Sequence, residues 1–530
     1  MIRYAGRSRW VVVFACALLS TFLAAQGEDP DRPVWFRVQL EAMKRDLPRL
    51  AAEGYDIAGT DRAARTADVV GTVADLERLA AAGLKVEVLR YLDGPALEVD
   101  SAYTDYGEMK AYMATLESLY PGIARVMELG ITEGGRAYQV MKISDNVMVD
   151  EDEPAIFFDF QHHSREVMTP EIARDLMDYL LSNYGSDPQV TDWVDRTEIW
   201  VLPIHNPDGS NHVFTVDDSW RKNRRNNGDG SWGVDLNRNY DWRWGACNGS
   251  SGATSSQAYR GPAPESEPET VAITDLARQE RPVIDLSYHT YGELVLYPYG
   301  CTNAIPSDRE AVENLGHQIA RRLVSDSGSG TYEAGYSWSL LGVVDGETKS
   351  WMLGELGTFS YTVEANASSS GGFYPSYAAW RDSTVARSRP GWQHALDRLD
   401  GPSVRGHVRD ACTGDPLEAE VAIDELPPAL YEQPRTSEPA HGRYQRLLLL
   451  GDYTLRVSKT GYHEQAHPVA VRTAAVDREV DLVPVGSHGL VAGGILVDDS
   501  LSGDGDGILD PGETARLRVA ARATGEAVTG

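Results

Sequence analysis

Cysteine is scarce. Four residues in 530 cannot build a disulfide-scaffolded domain or a cysteine-type zinc module. Positive charge is also in short supply, with 49 Lys and Arg against 79 Asp and Glu and a formal charge of −30. That balance excludes a nucleic acid partner and argues against an anionic membrane surface. Past the first 26 residues no apolar run is long enough to cross a bilayer, so no membrane span is expected in the mature chain. What is present is the composition of a folded protein: 42% hydrophobic residues, 12 Trp and 25 Tyr, over a length that calls for several domains.

The start of the chain reads as a targeting segment. Arg3, Arg7 and Arg9 precede an apolar run from Trp10 to Leu19, extended through Phe22 and Leu23 and closed by Ala24 and Ala25. A basic start, a short apolar stretch and a small-residue exit describe a signal peptide over residues 1–26, and hence a secreted, extracellular or periplasmic protein. Export permits disulfides. Cys16 leaves with the signal, so Cys247, Cys301 and Cys412 remain, and a Cys247–Cys301 bridge is one pairing the sequence leaves open.

Three textures follow. Residues 27–99 read as a small α+β domain, with a helix from Val38 to Glu53, a strand from Asp68, a helix from Ala74 to Ala82 capped by Gly83, and a strand from Lys85. Residues 100–400 alternate apolar strands and helices, which indicates an α/β domain with a largely buried sheet. Residues 402–486 are short strands spaced by Gly and Pro, a small β-sandwich. Residues 487–530 form a partial segment rich in Asp and Gly. Its loop at 498–513 can be read as a Ca²⁺ site or as a plain acidic turn.

The chemistry begins at Phe160-Gln-His-His-Ser-Arg-Glu-Val, after an apolar strand and before a helix. His163 and Glu166 stand at i, i+3, so both side chains can reach one point, and imidazole and carboxylate are good zinc donors. Alone the pair is unspecific. It is followed by Ile204-His-Asn-Pro-Asp-Gly, Trp220-Arg-Lys-Asn-Arg, Gly233-Val-Asp-Leu-Asn-Arg-Asn, Tyr259-Arg-Gly, Leu286-Ser-Tyr-His-Thr-Tyr, Leu296-Tyr-Pro-Tyr-Gly and Phe359-Ser-Tyr-Thr-Val-Glu. In that order the set resembles the zinc carboxypeptidase family (pancreatic-type metallocarboxypeptidases and their bacterial relatives) over about residues 101–400.

The resemblance implies an α/β fold with a mixed, mostly eight-stranded sheet flanked by helices, and one Zn²⁺ per chain. His163, Glu166 and His289 match the metal ligands, and Asp235 the carboxylate that orients the first histidine. Glu364 matches the general base and Arg221 the arginine that stabilises the oxyanion. Asn237 and Arg238 match the clamp on the terminal carboxylate of a peptide, with Arg165, Tyr291 and Phe373 as further substrate-binding residues. The implied substrates are peptide or protein C-termini; a monomer is expected. Residues 27–99 look like the family's propeptide domain and 402–486 like its transthyretin-like companion.

Two departures stand out. The family's mobile tyrosine falls on Gly342 when counted back from Trp351, and the nearest tyrosine is Tyr336. The acid before the pocket tryptophan is Ser350, preceded by Lys349 at the position that floors the pocket for the C-terminal side chain. A lysine there predicts an acidic preference. If Lys349 instead points to solvent, Ser350 or Phe373 shapes a neutral pocket. Two other readings stay open: a cell-wall peptide hydrolase of the same fold, and a peptide-binding module that has lost turnover.

Overall fold

The computed structural model describes residues 29–62, 64–93, 99–302, 304–426, 429–485, 489–498 and 516–524. The signal peptide reading and the acidic loop from 499 onward lie outside the described residues.

The N-terminal domain is a four-stranded antiparallel sheet with two helices. Its strands are β1 (Pro33–Gln39), β2 (Asp56–Asp61), β3 (Thr66–Thr72) and β4 (Lys85–Tyr91), in the order β2-β3-β1-β4. The expected helix from Val38 is corrected here. Val34, Phe36 and Val38 are buried in alternation along β1, a period of two, and the helix starts only at Met43 and runs to Ala52. The second helix, Val73–Ala81, opens with a reciprocal capping box. Asp75 N–H donates to Thr72 Oγ1, and Thr72 N–H donates to the Asp75 carboxylate.

The central domain is built on β5 (Ala124–Ile131), β6 (Ala137–Ile143), β7 (Ala155–Phe160), β8 (Glu198–Leu202), β9 (Ile284–Thr290), β10 (Leu294–Tyr297), β11 (Glu333–Tyr336) and β12 (Phe359–Ala365). They form one eight-stranded sheet ordered β11-β10-β12-β9-β7-β8-β6-β5. Strands β12, β9, β7 and β8 are mutually parallel, while β10 against β12, and β6 against its neighbours, are antiparallel. Strand β7 (Ala-Ile-Phe-Phe-Asp-Phe) is buried at every residue, as a central parallel strand covered on both faces must be. Helices including Tyr106–Leu119, Met168–Asn183, Pro268–Glu280, Arg309–Ala320 and Tyr377–Arg398 flank the sheet. The loops leaving the carboxyl ends of the parallel strands are where α/β folds place their ligands.

The third unit is a β-sandwich. One sheet holds β13 (Ser403–Asp410), β15 (Arg443–Leu447), β18 (Ala475–Asp477) and β19 (Val480–Leu482), and the other β14 (Glu420–Ile423), β16 (Gly451–Ser458) and β17 (Gln465–Val471). Val404 and Val408 of the first share a core with Val421, Leu455, Val457 and Val469 of the second. The unit is docked tightly on the central domain: Glu432 accepts from Tyr299 Oη at 2.5 Å and Ser307 Oγ at 2.7 Å, and Arg435 donates to Leu353 O. A hairpin of β20 (Gly489–Asp498) and β21 (Arg516–Thr524) follows. Among the described residues no helix is long and apolar enough to cross a membrane.

Candidate active site

His163 and Glu166 lie on the turn between β7 and the helix Met168–Asn183, and His289 lies near the end of β9, the strand beside β7. The topology thus brings residues 126 apart to one point. His163 Nδ1 stands 2.7 Å from Glu166 Oε1, His289 Nδ1 stands 3.1 Å from His163 Nδ1, and His289 Nδ1 stands 3.1 Å from Glu166 Oε2. All three side chains are buried, and Glu166 Oε2 has no hydrogen-bond donor. Two imidazole nitrogens facing each other beside a carboxylate oxygen form a donor set made for a cation. Donor atoms of the types zinc takes, 2.7–3.1 Å apart, are close enough to share one ion. The residues fit the metal.

The supports of this triad are equally ordered. His163 Nε2 faces Asp235 Oδ1 at 3.3 Å, as the far nitrogen of a metal-bound imidazole should. Asp235 also accepts from Arg221 Nη2 at 2.8 Å and from Asn237 N–H at 3.0 Å. Burial alone would raise the Asp235 carboxyl, but Arg221, Arg238 and His163 hold it well below its ordinary range. Burial also lowers both imidazoles, His289 to about 3, with Arg221 adding to the effect, so they are neutral donors. His289 Nε2 lies 3.3 Å from Ser287 Oγ, which in turn donates to Asp159 at 2.7 Å.

Glu364 sits on β12 directly opposite His289, and its carboxyl is pushed up to about 8 by burial and then by Glu166. It lines the same cleft as the triad, Arg221, Asn237, Arg238, Tyr291 and Lys349. Arg238 donates to Gly249 O at 3.1 Å and Asn237 O at 2.7 Å. Asn237 Oδ1 accepts from Thr348 N–H at 2.9 Å. Gly346, at φ +65°, lets the chain pass so close to Arg238 that an added Cβ would stand 2.3 Å from Arg238 O.

Arg165 and Phe373 do not line the cleft. They lie beneath the N-terminal domain, with the Arg165 guanidinium 4.3 Å over the Phe373 ring and Phe373 5.7 Å from Trp35. Arg165 donates to Asp56 at 3.2 Å, and Tyr291 Oη donates to Asp68 at 2.7 Å. Tyr55, Asp56 and Ile57 themselves form part of the cleft wall. Burial would raise the Asp56 carboxyl, but Arg165 and Arg221 hold it below the ordinary 3.8. Tyr336 faces away, donating to Glu313 at 2.9 Å. A Cβ at Gly342 would stand 2.2 Å from Ala51 Cβ, so the N-terminal helix occupies the place of any side chain there.

Lys349 is buried at the base of the cleft rather than solvent-facing, and its ammonium donates to Glu347. Sequence reasoning did not pair these two. Residues i and i+2 share no helix face, and the contact forms only because Glu347 precedes the short helix Thr348–Trp351. Cys247 and Cys301 are joined, with Cα atoms 5.9 Å apart, and Cys412 is free and exposed.

Comparison with known proteins agrees with this geometry. Residues 109–382 match the zinc carboxypeptidase family. The chain is 31% identical over 278 residues to a carboxypeptidase B of Astacus astacus, covering 52% of this chain and 89% of that protein. It is 32% identical over 370 residues to a zinc carboxypeptidase of Saccharothrix mutabilis subsp. capreolus, covering 64% and 82%. In fold it resembles the crystal structure of carboxypeptidase A from Helicoverpa armigera, with a TM-score of 0.59 and 23% identity over 70% of this chain and 97% of that one. With over half its length matched to the family and a His-Glu-His triad able to hold a metal in place, the chain belongs to the zinc carboxypeptidases, a family of metallopeptidases.

Proposed function

We propose that the protein is exported as a latent metallocarboxypeptidase that releases C-terminal residues from peptides. The observation that carries this reading is the convergence of His163, Glu166 and His289, with Glu364 on the adjacent strand of the same cleft. Zinc held by the triad supplies Lewis acidity at one point of the cleft. Glu364 removes a proton from the attacking water and delivers it to the leaving amine. Arg221, oriented through Nε and Nη2 by Asp235, stabilises the oxyanion that develops on the scissile carbonyl. Asn237 and Arg238 hold the free carboxylate of the peptide, which restricts cleavage to the terminal bond.

The N-terminal domain, residues 27–99, acts as a propeptide in this reading. Its Asp56 holds Arg165 and its strand β2 walls the cleft, so Arg165, Tyr291 and Phe373 meet substrate only after it moves. The β-sandwich at 402–486 is a transthyretin-like companion, and the active unit is a monomer. The Cys247–Cys301 bridge supports export. Lys349 taken alone favours a C-terminal Glu or Asp.

Metal analysis of Glu364→Gln tests the assignment. The variant should keep one zinc per chain and lose about 10²–10⁴-fold in turnover, the contribution of a positioned base. Turnover near the parent's would remove Glu364 from the mechanism.

A further inference from the structure

The cation at the base of the cleft does not stand alone. Lys349 Nζ donates to Glu347 Oε2, and both side chains are 3% exposed or less. Glu347 Oε1 accepts from Ser350 Oγ at 2.6 Å, and Ser350 Oγ accepts from Gly300 N–H at 3.2 Å. The carboxylate is therefore fixed from two sides, with Gly300 so near that an added Cβ would stand 2.4 Å from Glu347 Oε1. Leu296, Leu341, Val343 and Val344 give the same cleft apolar lining, beside polar residues such as Ser251 and Thr362. Arg238 and Glu364 also bear on Lys349, in opposite directions and less than Glu347 does.

We infer that Glu347 sets the side-chain specificity of this cleft: by holding the Lys349 ammonium it turns the floor into an internally neutral ion pair that selects peptides ending in neutral side chains, such as Leu, Met or Gln. The inference rests on the carboxypeptidase reading and adds the substrate class. A C-terminal Glu would place two carboxylates around one buried ammonium. A C-terminal Lys would place two cations around one buried carboxylate. Either leaves an uncompensated charge in a site of low dielectric, which is costly, while a neutral side chain leaves the pair intact and packs on the apolar lining. Glu347 thus suppresses the acidic preference that Lys349 would otherwise confer, and Lys349 suppresses the basic preference that Glu347 would otherwise confer.

The test is a charge-swap series on the full chain, assayed with and without limited proteolysis to release the cleft. kcat/KM is compared for matched peptides ending in Glu, Leu and Lys. The parent should favour Leu over both charged ends by at least about 10-fold. Glu347→Gln, whose single amide oxygen can still accept from Lys349 while its NH2 faces Ser350 Oγ, should raise the Glu:Leu ratio by about 10- to 100-fold. Lys349→Met should raise the Lys:Leu ratio by a similar factor, and the double variant should return to the neutral ranking. A parent that prefers Glu, or a Glu:Leu ratio unchanged within twofold in Glu347→Gln, overturns the inference.

Calorimetric binding of N-acetyl-glutamate against N-acetyl-leucine reads the same ratio without turnover. A protein that cuts no peptide but shows the predicted shift in binding keeps this inference and loses the carboxypeptidase reading. One that cuts peptides with an unmoved ratio does the reverse. Should Glu347→Gln fold poorly by circular dichroism, the Lys:Leu ratio of Lys349→Met carries the decision, with the double variant, which leaves no buried charge unpaired, as its folding control; an unmoved Lys:Leu ratio in a folded Lys349→Met then overturns the inference.

Discussion

Replacing Asp56 by Asn removes one charge from the Arg165 contact that, in the proposed latent form, closes the cleft. Arg165 is 1% exposed in the closed arrangement and Asp56 is its anionic partner at 3.2 Å. Removing one member of a buried pair costs about 3–5 kcal/mol. Asn keeps one acceptor oxygen and Asp56 retains some exposure, so about 2–3 kcal/mol is the fair figure here. That cost falls on the closed form alone, because Arg165 is rehydrated once the domain lifts. The ratio of open to closed chain should rise about 30- to 150-fold. The N-terminal domain would still be tethered by Arg90 to Asp218 at 2.9 Å, Arg62 to Glu333 at 2.6 Å and Tyr291 to Asp68, so it should loosen without unfolding. The assay is hydrogen exchange of Asp56–Asp61 alongside the residual peptidase activity of the uncleaved chain, both of which should increase. The pH dependence has a definite sign. Asp56 is held below its ordinary 3.8, so its contribution to closure is complete above about that pH and is lost as pH falls through the depressed value. Unchanged exchange and activity in Asp56→Asn, with acid loosening intact, would refute the assignment of Asp56 as the latch.

Two further outcomes are expected. Asp235→Asn should weaken zinc affinity about 10- to 100-fold in a competition titration, because His163 loses its anionic orienting partner; unaltered affinity would remove Asp235 from the metal's support. Cys301→Ser opens a loop of 54 residues, worth about 4 kcal/mol of chain entropy, and should lower the melting temperature by several degrees; no shift would mean the bridge adds nothing to stability.

The metal donors are legible in the sequence through the ordered motifs that resemble the zinc carboxypeptidases; the His163–Glu166 pair is unspecific alone, and His289 is assigned only by that resemblance. The pairing of β7 with β9, and of β9 with β12, then does the rest, setting Glu364 opposite His289 without any local signal that the two would be neighbours. Strand β1 is missed because its alternation is only seven residues long and runs into a helix of similar apolar content, so the two periods blur near Val38. Strand β2 (Asp-Ile-Ala-Gly-Thr-Asp) has no apolar run at all, yet it carries Asp56 to Arg165. The residue that satisfies Lys349 is hidden for a different reason. Glu347 precedes a four-residue helix, and its approach depends on the close passage of Gly346 against Arg238, which no spacing in the sequence encodes.

One cleft, metal-loaded at His163, Glu166 and His289, should remove residues from free C-termini. Mass spectrometry of a single peptide, offered with a free and with an amidated C-terminus to the proteolytically activated chain, tests it in one experiment when run with and without a chelator. Stepwise loss of C-terminal residues from the free peptide alone, abolished by the chelator and restored by added zinc, is the predicted result. Equal cleavage of both peptides, internal cuts, or activity indifferent to the chelator would contradict it.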